Sequence, residues 1–258
     1  MNKFFVSLLC VVFAGTPVVR SADFNGTMQW SARIEFVNPQ MDMVQSAMKN
    51  PEMLSMLLQN SQLREMIESK LGPLNPSGGA TSLLPTGLTL AVKGPCALVK
   101  IEGGLVFREV LSLADQRVAY SINRPARTFQ KLPDLTVSKT ASRPKIKVTR
   151  TEDTSTLLGY PCNRFLVEAD DAGAKSHFSV WTTNAIKGLD AAAVKRLSWG
   201  QAGTPDFMGQ LEGVPLKIDA VTPDVKVGLL ATRLTIGPVD SALFVLPAGF
   251  KEVAGSAN

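Results

Sequence analysis

The residue types that most often carry catalysis are scarce in this chain of 258 residues. Its one histidine, His177, falls in the alternating run 176–182, where a strand histidine without partners is more often structural than catalytic. With no second histidine and no Cys-x-x-Cys spacing, the sequence predicts no metal site. It also contains no nucleophile elbow, P-loop or dinucleotide-binding glycine pattern. The residue chemistry therefore predicts neither a catalytic residue nor a cofactor.

Two adjacent acid pairs, Glu152–Asp153 and Asp170–Asp171, are the remaining candidates for general acid and base chemistry. A glycosidase needs two carboxylates that flank one glycosidic bond. Because neighbouring residues of a strand point to opposite faces, sequence spacing preorganises neither pair. We interpret both pairs as solvated turns and predict that the protein is not an enzyme.

Positive charge is concentrated between residues 117 and 150, where nine basic residues occur with Asp134 as the single acid. The nine are Arg117, Arg124, Arg127, Lys131, Lys139, Arg143, Lys145, Lys147 and Arg150. The last four of them form the predicted basic surface, which would suit an anionic membrane surface or an acidic protein partner. The alternative is a set of edge strands that charge keeps from aggregating.

Methionine is concentrated in a segment with helical periodicity after the first strand. Six of the nine methionines lie between Met41 and Met66. Since methionine is flexible and polarisable, a methionine-rich helix over an apolar sheet would form an adaptable lid for a lipid or acyl chain. The residues predicted to line such a site are Trp30, Met53, Met56, Leu57 and Met66. The alternative is a helix packed permanently on the sheet.

The chain is organised around strands. Residues 24–36 alternate between apolar even positions and mostly polar odd positions, as in a strand with one face toward a core. Apolar residues spaced by three and four positions predict a helical insertion at about 38–72, ended by Gly72 and Pro73. The proline, glycine and serine content of the next segment predicts a flexible connector at about 73–87. From residue 88 onward the pattern is mostly of strands, with a further helix near 191–197. Strands with helices bunched in two places favour an α+β fold built on an antiparallel sheet.

The first 22 residues have the pattern of an export signal: a positive charge at Lys3, an apolar stretch after it, and small residues at Ser21 and Ala22. A retained membrane anchor is the alternative. Cleavage after Ala22 would leave one domain, residues 23–258, with 25 basic and 22 acidic residues, or about +3. An exported protein with so mild a charge and few interleaved aromatic residues is not expected to bind nucleic acid. An oxidising compartment would permit a disulfide between Cys96 and Cys162, or leave two separate buried thiols.

Several spaced motifs then occur together. They are Phe24-Asn25-Gly26, Gly159-Tyr160-Pro161-Cys162, Val180-Trp181-Thr182-Thr183, Gly213-Val214-Pro215-Leu216 and the closing run from Leu243 to Phe250. Their order resembles an exported bacterial family, domain of unknown function 4412, which is similar to the periplasmic lipoprotein carriers. The resemblance implies a strongly curved antiparallel sheet, an open half-barrel, with helices covering its concave face. It implies no catalytic residues.

The sequence therefore predicts an exported, non-enzymatic protein, periplasmic or extracellular and soluble after signal cleavage. Its expected function is to hold a lipid, acyl chain or lipidated partner between the sheet and the helices. The alternative is an envelope interaction or assembly module that uses the basic stretch 117–150 and binds no small ligand.

Overall fold

The computed structural model describes the strand-forming parts of the chain. The described residues are 24–37, 59–62, 65, 85–103, 109–113, 115–132, 145–171, 174–187, 189, 207–221 and 225–253. The predicted signal peptide at 1–22 lies outside them, as do most of the predicted insertion at 38–72, of the connector at 73–87 and of the helix near 191–197.

The described residues form one sheet of twelve strands. The strands are β1 Asn25–Phe36, β2 Gly87–Lys93, β3 Cys96–Glu102, β4 Glu109–Leu113, β5 Val118–Asn123, β6 Thr128–Lys131, β7 Lys145–Leu157, β8 Tyr160–Asp171, β9 Ala174–Thr183, β10 Val214–Val221, β11 Val225–Ile236 and β12 Lys251–Glu252. Their order across the sheet is β12-β6-β5-β4-β3-β2-β1-β11-β10-β9-β8-β7. Every pair is antiparallel except β12 with β6. The predicted large antiparallel sheet is confirmed.

One face of the sheet carries the larger apolar cluster, the inner core. It follows the predicted alternation of β1, in which Met28 and Trp30 are buried, and it continues through β2 and β3 on one side and β8 to β11 on the other. The connection between β9 and β10 covers part of this face with Ile186, Leu189 and Phe207. The alternating pattern of the strands therefore produces this core without a second sheet.

The opposite face of β2 to β6 carries a second apolar cluster, the outer core. Leu98, Leu111 and Ile122 are buried there, and Phe244 from a short 3₁₀ helix, Ser241–Phe244, packs over them. The backbone of the following segment then joins the sheet, since the amide of Lys251 donates to the carbonyl of Arg127 at 3.0 Å. The C-terminal segment thus crosses the outer face and ends as β12.

The predicted α+β class, with helices covering a concave face, is wrong for the described residues. Besides the strands these contain two short 3₁₀ helices, Met208–Gln210 and Ser241–Phe244. The α-helical residues among them, Gln59, Ser61, Gln62 and Glu65, are exposed and belong to neither apolar cluster, so no described helix covers a face of the sheet. The prediction assumed that an apolar sheet face needs a helical cover. In the described chain, the β9–β10 connection and the C-terminal segment bury these faces instead.

The predicted disulfide is also wrong, because Cys96 and Cys162 are not bonded. Cys162 belongs to the inner core, whereas Cys96 packs against the outer core on the other side of the sheet. Five strands also separate β3 from β8 in the strand order. A disulfide requires Cα atoms within about 7 Å, which two residues on opposite faces of distant strands do not satisfy.

Candidate functional site

Trp30 is the one predicted ligand-lining residue that the structure describes. It is 4% exposed within the inner core, and its indole Nε1 donates to the carbonyl of Pro215 at 3.3 Å. Both its apolar ring and its polar group are therefore engaged by the protein itself. Met53, Met56, Leu57 and Met66 lie outside the described residues.

The structure divides the basic stretch 117–150 between two distant parts of the sheet. Arg117, Arg124, Arg127 and Lys131 lie around β5 and β6, whereas Lys145, Lys147 and Arg150 belong to β7. Nine strands separate β6 from β7 in the strand order. Lys139 and Arg143 lie outside the described residues. Contiguity in sequence therefore does not give one continuous basic surface on the sheet.

Arg124, which directly follows β5, belongs to an internal ion cluster around Glu109. Glu109 of β4 is buried, and both its oxygens accept from Nε of Arg124, at 2.7 and 2.8 Å. Lys100 of β3 places its Nζ 3.8 Å from the same carboxylate. The hydrogen bond to Glu109 raises the pKa of Arg124, against the opposing effect of burial. This cluster stabilises the buried carboxylate rather than presenting a free cation.

The three cations of β7 occupy the end of the sheet, since β7 is the terminal strand. Residues 145–150 pair regularly with 170–165 of β8. Ile146 and Val148 pack against the inner core, so Arg150, which alternates with them, shares the inner face. Lys145 and Lys147 therefore point to the outer face. The segment Lys145–Arg150 is named the interaction edge below.

The ion pairs of the interaction edge are long and exposed. Nζ of Lys147 lies 3.9 Å from Glu168, and the two side chains are 73% and 60% exposed. Arg150 lies 3.6 Å from Glu212, again with both side chains more than half exposed. Pairs of this kind contribute little stability in water, so both cations stay accessible to an external anion.

A bulge ends the regular pairing of β7. Residues 151–153 lie opposite the single residue Arg164, and pairing resumes at Thr154 with Asn163. Arg164 fixes the bulge by donating to Asp153 at 3.0 Å and to the Ser179 hydroxyl at 2.9 Å. A bulge of this kind bends a strand and re-aims its side chains. The interaction edge is thus a regularly paired segment that ends at the bulge.

Beyond the bulge, β7 turns into β8 through the two-residue turn Leu158–Gly159. Leu158 has φ of +50° and Gly159 of +80°, the combination that usually selects Asn-Gly. Leu158 is nonetheless 39% exposed. Neither local conformation nor burial explains a leucine at this position.

The remaining candidates for chemistry are dispersed. His177 is exposed in β9 between Glu168 and Val221 of its neighbouring strands. Glu152 and Asp153 lie in the bulge within β7, and Asp170–Asp171 ends β8, so both pairs belong to strands and not to the predicted solvated turns, although Glu152 and Asp153 are exposed. Within the described ranges, no three His, Cys, Asp or Glu side chains are grouped as a potential metal site. Among the same residues, no helix has the length and apolar character needed to cross a bilayer.

The sequence did not predict the contacts of Arg164 with Asp153 and Ser179, which fix the bulge next to the interaction edge. Arg164 and Asp153 are 11 positions apart, and only the hairpin register across the bulge brings them together. The available signal was the Leu158–Gly159 dipeptide between two strand-like runs, which marks a tight hairpin more weakly than Asn-Gly would.

Comparison with known proteins gives little guidance. No family model and no curated protein matches the chain. A solved structure of PNGF-II in space group C2 is similar over 90% of this chain, with 14% identity and a TM-score of 0.42. The chain spans 31% of that protein's length. A likeness this distant carries no argument, and membership of the family of domain of unknown function 4412 stays a prediction.

Proposed function

We propose that the protein is a non-enzymatic binding module that docks an acidic segment of a protein partner at the interaction edge. The observation that carries this proposal is the position of Lys145 and Lys147 on the terminal strand, where no described strand pairs with the outer side of β7. This function is the interaction module that the sequence offered as the alternative to lipid binding. The proposed binding surface is residues 145–150 and not the whole basic stretch 117–150.

The physical basis is a combination of charge and a strand edge that no other described strand pairs with. A terminal strand presents N–H and C=O groups that its single neighbour cannot satisfy. Lys147 and Arg150 are weakly paired and well exposed, and Ile146 and Val148 are only half-buried beside them. A partner that brings carboxylates to the lysines and apolar groups to the isoleucine and valine would improve both contacts.

Protection against aggregation is the competing explanation. Lysines and bulges on edge strands both discourage accidental pairing between sheets. This explanation requires only that the cations repel like edges, and it predicts no partner whose binding depends on them. The two explanations therefore differ in a measurable way.

The test is charge reversal with a matched control. Tagged protein carrying Lys145→Glu and Lys147→Glu is compared with the wild type in pull-downs from extracts of the native cells. The proposal expects loss of a specific partner with an unchanged urea midpoint. The control, Lys131→Glu with Lys251→Glu, has the same charge change at the other end of the sheet and should retain the partner. If the partner is recovered equally well with the two double variants, the proposal is wrong.

A lipid or acyl ligand is the second candidate. The inner core favours it, because this apolar face extends from β3 to β8 and a connection, not a second sheet, covers it. Native mass spectrometry and lipid extraction of protein from its own compartment would test this. A clean unliganded mass, with no rise in Tm on adding fatty acids or phospholipids, would rule it out.

Export is part of the proposed setting of both functions. N-terminal sequencing of the protein from native cells should give a terminus at or next to Asp23. A terminus at Met1 would contradict signal cleavage and leave the retained membrane anchor as the alternative.

A further inference from the structure

We propose that the interaction edge recognises its partner by strand addition: a six-residue acidic segment pairs antiparallel with residues 145–150 in one register. This inference rests on the proposed function and adds the conformation and sequence pattern of the bound segment. Simple charge attraction to a lysine pair would require neither.

The length of the segment follows from the pairing of β7. Residues 145–150 keep regular register with β8, so their backbone has the spacing that another strand needs. Residues 151–153 then form the bulge, which Asp153 and Arg164 fix at 3.0 Å. Since a bulge bends its strand and disrupts the ladder, an added strand can follow the edge only up to Arg150.

The sequence pattern follows from the two faces of the edge. Lys145 and Lys147 point to the outer face, and Ile146 and Val148 point to the inner face beside the inner core. Directly opposed side chains on neighbouring strands lie about 4.5–5.5 Å apart, close enough for ion pairs and for β-branched contacts. The partner should therefore alternate acids opposite the lysines with valine or isoleucine opposite Ile146 and Val148.

Arg150 adds one more charged position to the sequence pattern expected of the partner. It shares the inner face with Ile146 and Val148 but carries a charge, and its pairing with Glu212 is 3.6 Å long and exposed. A carboxylate opposite Arg150 would complete the segment at the bulge. Reading from Arg150 back to Lys145, an antiparallel partner has the pattern Glu-Thr-Val-Glu-Val-Glu.

Strand addition makes recognition sensitive to arrangement as well as composition. Acids and apolar residues that are grouped instead of alternating cannot face the lysines and the inner core at the same time. A grouped peptide retains the same net charge, so it measures charge attraction alone.

The experiment uses two capped, fluorescein-labelled peptides of one composition, Glu-Thr-Val-Glu-Val-Glu and Glu-Glu-Glu-Thr-Val-Val, with the purified protein. Fluorescence anisotropy should show at least tenfold tighter binding of the alternating peptide. Hydrogen exchange should slow at residues 145–150 when it is bound. Lys147→Glu should weaken the alternating peptide at least tenfold, whereas Lys131→Glu should leave its Kd within twofold.

The other outcomes separate the two proposals. Equal binding of both peptides would overturn strand addition while leaving the charge-dependent docking of the proposed function intact. No binding of either peptide would also overturn the inference, and the pull-down would then judge the proposed function alone. Pairing of the edge with a second copy would appear as a dimer in sedimentation without peptide, which also overturns it.

Discussion

Arg164 lies beside Asp153 with Nη1 3.0 Å from Oδ2, and this ion pair fastens the bulge of β7 to β8. The same guanidinium donates from Nε to Ser179 Oγ at 2.9 Å and lies 5.8 Å from the centre of the Trp181 ring. One side chain thus connects β7, β8 and β9 at the boundary of the interaction edge. Its orientation is held by contacts of different kinds, not by one exposed ion pair.

Removing this guanidinium should loosen the bulge and lower stability. Arg164→Ala is expected to reduce the free energy of unfolding by about 1–2 kcal/mol, because it removes a charge-assisted hydrogen bond and a cation–π contact along with a solvent-screened ion pair. Urea denaturation measures the change. Lys175→Ala, an exposed position on β9, should change it by less than about 0.5 kcal/mol. A similar loss in both variants would mean that Arg164 does not fix the bulge.

Removing Arg124 should lower the free energy of unfolding more than removing its partner Glu109. Arg124→Gln leaves a carboxylate that is 2% exposed with only a lysine at 3.8 Å, so a loss of about 3 kcal/mol is expected. Glu109→Gln leaves a guanidinium that is 41% exposed and that water can solvate, and about 1–2 kcal/mol is expected.

Thermal and urea unfolding of both variants measure this order, with Lys100→Gln as the control for the distant cation. That control should lose less than about 1 kcal/mol, because its ion pair is long. An equal or reversed order of Arg124→Gln and Glu109→Gln would contradict the assignment of Glu109 as the buried member.

The strands were predictable because their periodicity is local. Residues 24–36 alternate in sequence, and β1 spans Asn25–Phe36 with Met28 and Trp30 buried as the even positions require. The part of the chain from residue 88 onward, predicted to be mostly strands, likewise contains β10, Val214–Val221. A period of two requires only that one face of the strand packs against a core. It can therefore be recognised in the sequence without knowing which segment covers that face.

What covers the sheet was not predictable, since that depends on contacts between distant segments. Phe244 and Leu98 belong to the same apolar cluster although 146 positions separate them, and no local pattern assigns the C-terminal segment to the outer face. The division of the basic stretch has the same origin: Lys131 and Lys145 are close in sequence, but the strand order places β6 and β7 far apart. The bulge could not be predicted from the sequence either, because Thr151–Asp153 has the pattern of an ordinary polar strand.

The turn at Leu158 should tolerate, and even favour, a different residue. Its φ of +50° is a conformation that asparagine adopts more readily than leucine, and its side chain is 39% exposed. Leu158→Asn is therefore expected to raise the free energy of unfolding by about 0.5–1 kcal/mol. Leu158→Ala keeps the unfavourable φ and should bring no such gain. A loss of stability in Leu158→Asn would show that the leucine makes a stabilising contact.

Cys162 should make stability fall at alkaline pH. Burial raises the pKa of its thiol, so the native protein keeps the thiol protonated at a pH where the unfolded chain loses the proton. The resulting stabilisation is complete below the unfolded pKa of roughly 8.5 and is lost as pH rises through the native value. Between about pH 8 and 10, the wild type should therefore lose stability more steeply than Cys162→Ala, measured by urea unfolding at each pH.

Thiol labelling provides the independent check on Cys162. It is 1% exposed and donates to the carbonyl of Tyr160 at 3.4 Å, so iodoacetamide should modify it only after unfolding. Cys96 is half-buried against the outer core and should be modified faster in the native protein. Peptide mapping by mass spectrometry distinguishes the two sites. Rapid native labelling of Cys162, or parallel pH profiles of the wild type and Cys162→Ala, would show that the thiol is not held protonated by the inner core.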